Sequence, residues 1–195
     1  MIGSFLWALM LAISLSSPIN ESHLMLTVYL SIEKNRSVEV RMQNITNRRA
    51  QNSDSEAIQN ILEEAFEEYE INLPAGYSFS DIENLEEEYL NATGEFMVLI
   101  KEQNIIGFFA LLPSNHNQVE LKRLYLTATE RGKGLGKYLL NLALKTAIQS
   151  GYGRIHLETT SKFVQAVALY RKFGFIKNVG AKLAPGHDIG LIRDL

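Results

Sequence analysis

The chain has 195 residues, 46% hydrophobic and 21% charged, with a formal net charge of −3. That is one domain's length with enough apolar mass for a substantial core, and the charge gives no ground for a nucleic-acid partner. Cysteine is absent, which removes disulfides, cysteine-based zinc sites and any cysteinyl acyl intermediate, so nothing points to an oxidising compartment.

The first segment is the most apolar. Met1 to Asn20 carries no charged side chain, and Phe5, Leu6, Trp7, Leu9, Met10, Leu11 and Ile13 crowd its centre. A second apolar run, Leu24–Ile32, follows a polar break. The first run has the length of a signal peptide without a basic start, and it falls short of a membrane span. Three readings stay open: a signal peptide ending near Ser14-Leu15-Ser16, a membrane-surface anchor, or residues ahead of the working protein. The last is favoured because Met42 stands immediately before the globular pattern. The expected organisation is therefore an apolar extension over 1–41 and one domain over 42–195.

Within that domain Ile45–Ala50 reads as a short strand, and Ser53-x-x-Glu56 is a capping box opening a helix. Ala57, Ile58, Ile61, Leu62, Ala65, Phe66 and Tyr69 recur at helical spacing, with Glu63, Glu64, Glu67 and Glu68 toward water. Leu73-Pro74-Ala75-Gly76 ends that helix, and a second is expected over Ser80–Leu90. Phe96–Lys101, Ile105–Leu112 and Val119–Thr127 are separated by short turn-like segments and read as an antiparallel meander. A helix over Gly134–Ser150 packs through Leu139, Leu140, Ala143, Leu144, Ala147 and Ile148 and stops at Gly151. Then come strand Arg154–Thr159, helix Lys162–Phe173 capped by Ser161, and strands around Phe175–Asn178 and Ile189–Asp194. The expected class is α/β: a mixed, mostly antiparallel sheet with helices on both faces.

Charge is unevenly spread over these elements. Asp54–Leu90 holds twelve acids and neither Lys nor Arg, whereas Glu120–Phe175 holds ten bases against three acids. The basic half suits a polyanion and the acidic half a cationic partner. A plainer account makes the acids the wet faces of helices.

The most informative stretch is Arg131-Gly132-Lys133-Gly134-Leu135-Gly136-Lys137. It joins a strand to an amphipathic helix, and its glycines let successive N–H groups converge beside a helix start while Arg131, Lys133 and Lys137 add charge. That is an anion cradle, with an ordinary strand-to-helix turn as the alternative. It is no nucleotide P-loop, since Arg131 and Tyr138 occupy the positions of the first Gly and the Ser or Thr. The dinucleotide pattern G-x-G-x-x-G fails too, ending on Lys137 or Leu139.

Arg-x-x-Gly-x-Gly after Val119–Leu126, followed by Ala166-Val167-Ala168-Leu169-Tyr170-Arg171-Lys172-Phe173-Gly174-Phe175, resembles the GNAT superfamily of N-acetyltransferases, over roughly Met42 to Leu195. The resemblance implies an acyltransferase that moves an acetyl group from acetyl-CoA, as co-substrate, to a primary amine by direct attack in a ternary complex. It implies that Arg131, Gly132, Lys133, Gly134, Leu135, Gly136 and Lys137 wrap the pyrophosphate. Backbone groups of Leu124, Tyr125 and Leu126 would pair with the pantetheine arm, one of them polarising the thioester carbonyl. Tyr170 matches the tyrosine that donates a proton to the departing thiolate, and an ordinary phenol is protonated at neutral pH.

A carboxylate is wanted as base. Glu120 is the first candidate, Glu158 the second, and water the third, since orientation alone supplies much of the rate. Relatives often place Asn where this chain offers Thr159, Thr160, Ser161 and Gln165, so a hydroxyl, Thr159 first, is expected to take over that pantetheine contact. His156 on its strand reads as structural, and His23, His116 and His187 form no ligand-spaced cluster, so no metal is expected. A different functional class, an acyl-CoA-binding sensor or scaffold without turnover, remains as the alternative. A cytoplasmic location is expected because acetyl-CoA is there, and any membrane contact falls to residues 1–32. The acceptor, small molecule or protein, is not legible beyond a tilt toward cations, and neither is the oligomeric state.

Overall fold

A computed structural model describes residues 44–72, 79–91 and 93–195. The apolar extension over 1–41, Met42 and the helix stop at Leu73–Gly76 lie outside the described residues. In chain order the elements are β1 (Ile45–Arg49), α1 (Ser55–Glu68), α2 (Ser80–Glu83), β2 (Glu95–Lys101), β3 (Asn104–Asn115), β4 (Gln118–Leu126), α3 (Leu135–Gln149), β5 (Arg154–Thr159), α4 (Val164–Lys172), β6 (Ile176–Lys177) and β7 (Ile189–Asp194). The strands form one sheet in the order β1-β2-β3-β4-β5-β7-β6. Every neighbouring pair is antiparallel except β4 and β5, giving the mixed sheet expected.

The meander from β2 to β4 follows from local chemistry. Lys101 pairs with Asn104 across a two-residue turn in which Glu102 and Gln103 have φ of 49° and 72°, the mirror-image turn whose twist matches that of the strands. β3 runs past its expected end through Pro113, which faces Val119 where the register shifts.

α1 begins at Ser55, not at the Ser53 box. Asp54 takes over this end from a short 3-10 turn, accepting the Gln51 N–H at 2.8 Å and two Arg48 guanidinium bonds at 2.7 and 2.9 Å. A carboxylate held by a bidentate arginine is a stronger acceptor for the local N–H than a serine hydroxyl. Ile58, Ile61, Leu62 and Ala65 are buried, while Glu63, Glu64 and Glu67 face water.

The helix expected over Ser80–Leu90 splits. Asn84 leaves helical geometry at φ −132°, the Asn52 side-chain carbonyl accepts the Glu86 N–H at 3.1 Å, and Glu86–Leu90 continues as a wider π-type turn. Ile58, Leu62, Ile82, Leu85, Tyr89, Phe96, Val98 and Phe108 make the core between these segments and one sheet face. Each such side chain contributes about 1.5–3 kcal/mol by leaving water.

α3 covers the other face with Leu139, Leu140, Ala143 and Ala147 buried. Ile148, expected inward, is 54% exposed, because the last turn of α3 borders an open groove beside Lys172 and Phe173. α4 starts at Val164, and Ser161 is not its cap: the Ser161 N–H and hydroxyl donate instead to the Asp188 carboxylate at 2.7 and 2.5 Å. Among the described residues no helix is long and apolar enough to cross a membrane.

Candidate active site

β4 and β5 are parallel neighbours only at Gln118–Arg154, Val119–Ile155 and Glu120–His156. Beyond Glu120 no residue of β4 pairs with β5, so the edge of β4 from Leu121 onward borders a cleft in place of a neighbouring strand. β4 is also irregular there. Phe108 faces Tyr125 and Ala110 faces Lys122, so β4 carries an extra residue, and Arg123 sits in the left-handed region at φ 54°. Such a bulge bends a strand and re-aims its backbone groups.

What holds the bulge comes from α2. The Arg123 guanidinium donates to both oxygens of Asp81 at 3.0 and 2.7 Å, and the buried Tyr89 hydroxyl donates to Asp81 at 2.6 Å. Burial, then the Asp81 charge, raises the Tyr89 phenol well above its ordinary value, so it stays a donor. This clamp was not legible in the sequence, since Asp81 lies 42 positions from Arg123.

The cleft holds about 420 Å³. It brings together the expected Glu120, Leu124, Tyr125, Thr159 and Tyr170, with Glu158 and Thr160 beside them. Phe66, Ile71 and Asn72 at the end of α1, Phe163, and the turn Ala184–His187 complete the wall. None of the twelve acids between Asp54 and Leu90 lines it: Asp54, Glu68 and Asp81 pair with Arg48, Arg131 and Arg123, and most of the rest are wet helix faces.

Tyr170 is 6% exposed, on the α4 face shared with Val167, and its ring meets Phe175 edge-on at 5.7 Å. Burial, assisted by Tyr125, pushes its phenol well above the ordinary value, so the group is a protonated donor throughout the neutral range.

The two carboxylates differ. Glu158 accepts the Ala184 N–H at 2.8 Å and lies 3.9 Å from the His187 imidazole. It thereby fastens the turn Ala184-Pro185-Gly186-His187, itself closed by the His187 N–H on the Ala184 carbonyl at 3.1 Å. Glu120 has no ion-pair partner among the described residues. Thr159 and Thr160 are buried at the cleft, whereas Ser161 is committed to Asp188 and Gln165 is exposed. His156, expected to be structural, has a buried Nδ1 without a hydrogen-bond partner among the described residues.

Leu126 and Arg131–Lys137 stand beyond the cleft wall, where β4 ends. Gly132 and Gly134 adopt φ of 73° and 89°, a region side chains rarely enter. The first helical bond of α3 runs from the Tyr138 N–H to the Gly134 carbonyl at 3.1 Å. Among the described residues nothing accepts from the N–H groups of 132–137, so this helix start is open to an anion.

Two of the three full charges already have protein partners. The Arg131 guanidinium is engaged by Glu68 at 2.6 and 2.7 Å, lies 5.4 Å from the Tyr69 ring centre, and donates to the Leu126 carbonyl at 3.1 Å. Lys133 lies 3.2 Å from Glu130, which also binds Lys101 at 2.8 Å. Lys137 has no such partner among the described residues, and it borders a separate groove with Lys145, Lys172 and Arg193. What this helix start leaves open is thus chiefly backbone.

A sheet opened at one parallel pair, with an anion cradle at the end of its free edge, defines the class, and comparison with known proteins agrees. Residues 56–175 match the Acetyltransferase (GNAT) family. An uncharacterized N-acetyltransferase of Escherichia coli is 30% identical over 156 residues, 76% of this chain and 93% of that protein. N-acetyltransferase family 8 member 2 of Rattus norvegicus is 33% identical over 103 residues, 50% of this chain and 46% of its own, so the chain spans about half of that relative. A GNAT acetyltransferase structure from Staphylococcus aureus superposes with a TM-score of 0.71 at 25% identity, over 77% of this chain and 98% of its own. An acetyltransferase of Salmonella typhimurium, solved with acetyl-CoA, gives 0.62 at 20% identity over 77% and 94%. The chain belongs to the GNAT acetyltransferase family and has its fold; it is an acyltransferase.

Proposed function

We propose that the protein transfers the acetyl group of acetyl-CoA to a primary amine by direct attack within a ternary complex, in a domain spanning 42–195. The observation that carries this reading is the open β4 edge ending in the 132–137 cradle. A strand edge without a neighbour offers alternating N–H and C=O groups to an extended amide-bearing arm, and a row of unaccepted N–H groups at a helix start suits a pyrophosphate. The solved Salmonella relative holds acetyl-CoA, which supports the same donor here.

Leu124, Tyr125 and Leu126 take the pantetheine amides, with a hydroxyl of Thr159 alongside. Gly132, Gly134 and Gly136 let the N–H groups of Lys133, Leu135 and Lys137 approach the phosphates. Arg131 serves by fixing the cradle to Leu126 and α1, since its charge is already matched by Glu68.

The chemistry has three needs. The amine must lose a proton, and Glu120, the unpaired carboxylate of the cleft, accepts it. The nitrogen lone pair then attacks the acetyl carbon while a β4 N–H stabilises the oxyanion. As the C–S bond breaks, its electron pair stays on sulfur and Tyr170 protonates the thiolate, while the second proton that the nitrogen loses on becoming an amide returns through water to the Tyr170 oxygen. Glu158 is bound to its turn and is the weaker base candidate. No cysteine is available for an acyl-enzyme.

The test is release of free CoA thiol from acetyl-CoA and a panel of amines, with Tyr170→Phe alongside. Turnover falling at least a hundredfold at unchanged acetyl-CoA affinity is expected. Acetyl-CoA binding with no thiol release from any amine would instead favour a sensor, the reading that needs Tyr170 only for packing.

A further inference from the structure

Four charged residues of β4 and β5 line the cleft: Glu120, Lys122, Arg123 and Glu158. Two are already satisfied. Arg123 is held bidentately by Asp81, and Glu158 accepts the Ala184 N–H. Glu120 and Lys122 remain, and among the described residues neither has a hydrogen-bond or ion-pair partner.

Their placement is specific. They stand two apart on β4, so they share one face with their Cα atoms about 6.6 Å apart. Their partners on β3, Leu112 and Ala110, are apolar, so β3 neutralises neither. Both side chains are only partly exposed, and Phe66, Phe163 and Pro185 are among the walls around them. A lone carboxylate and a lone ammonium in a semi-enclosed cleft, not closed on each other, form a template for the opposite pair of charges.

Resting on the acetyltransferase reading above, we propose that the acceptor is a zwitterion, an amine that also carries a carboxylate, as in an amino acid. Its ammonium faces Glu120, which takes the proton, and its carboxylate is held by Lys122. Lys122 is then a specificity-determining residue. The same arrangement disfavours polyamines: a second cation would meet the unpaired Lys122 ammonium, and like charges so placed repel. This reverses the tilt toward cationic acceptors drawn from the acidic segment 54–90, whose carboxylates lie outside the cleft.

The experiment compares free L-amino acids with their carboxamides, and with spermidine, as acceptors for the full chain, following thiol release. The acids are expected to exceed their amides at least tenfold in kcat/KM, the difference lying mainly in KM. Lys122→Met should bring that ratio close to one, and Lys122→Arg, which keeps the charge, should restore most of it, with acetyl-CoA affinity as the check that each variant is folded. Amides or spermidine matching the acids, or a ratio that survives Lys122→Met, overturns the zwitterion proposal while leaving acetyl transfer intact. Failure of every amine to release thiol overturns the enzyme reading itself.

Discussion

In the reaction proposed above, the cradle at 131–137 and the cleft between β4 and β5 work by opposite means. The cradle is local. Seven consecutive residues make it, its glycines supply the left-handed φ values, and its attraction for an anion comes from backbone N–H groups that α3 leaves unaccepted. The cleft is assembled from distant pieces: the end of α1, the β4 bulge clamped by Asp81, the end of β5, Tyr170 on α4, and a turn before β7 fastened by Glu158. A backbone site recognises what every acyl-CoA shares, whereas a side-chain site can select one acceptor.

The sharpest separation of the two regions uses Tyr170→Phe, which removes only the phenolic oxygen. Loss of a positioned acid costs about 10²–10⁴ in rate, so kcat is expected to fall by that order with acetyl-CoA Kd within twofold, read by single-turnover kinetics and calorimetry. Gly134→Asp is the converse. A side chain at φ 89° is strained by about 1–3 kcal/mol, and a carboxylate there opposes phosphate. Acetyl-CoA Kd should rise at least tenfold, and an unchanged Kd would sink the cradle assignment.

Gly136→Ala is a finer probe. An added Cβ would meet Leu169 and Leu126 at 3.6 and 3.7 Å, ordinary contact, so the melting temperature should hold. Weaker acetyl-CoA binding at equal stability then reports a ligand passing over that glycine. In the cleft, Asp81→Asn leaves the Arg123 guanidinium without its carboxylate. Loss of a charged, part-buried pair costs about 1.5–3 kcal/mol, expected in chemical denaturation together with a lower kcat as the bulge loosens.

The smallest effect concerns pH. Hydrogen bonding to Arg48 holds the Asp54 carboxyl below its ordinary value, against the opposing effect of burial. A folded value below the unfolded one means a stabilisation fully present above the unfolded pKa near 3.9 and lost as pH falls through the folded value. Arg48→Ala should flatten the stability profile below about pH 4, measured by urea denaturation across pH 3–7. At the alkaline end Tyr170 is raised, so ultraviolet titration should find no phenolate from it at pH 9, and any basic limb in the rate must come from another group.

Much of the scaffold was legible in the sequence for a physical reason. Alternation across β2–β4, the 3.6-residue spacing in α1 and α3, and the glycines at 132, 134, 151 and 174 act over a few residues, so pattern translates directly into geometry. The boundaries that moved are those where a distant partner intervenes: Arg48 on Asp54 shifts the start of α1, Asn52 on Glu86 splits the segment after α2, and Asp188 takes Ser161 away from α4. The same cause gives two of the charges distant partners. Spacing offers Arg131 as a phosphate ligand and Glu158 as a base, yet Glu68 and Ala184, 63 and 26 positions away, engage them first.

The sequence by itself determined the local pieces of the proposed donor end: a glycine-rich helix start, a strand before it, and a tyrosine helix after it, all encoded in short runs where backbone conformation follows from residue type. Only the tertiary structure assembled the cleft proposed for the acceptor. Which charges stay unpaired depends on what the fold brings within about 3 Å of them. Glu120 and Lys122 differ from the other charges of the cleft in that single respect, which no pattern along the chain expresses.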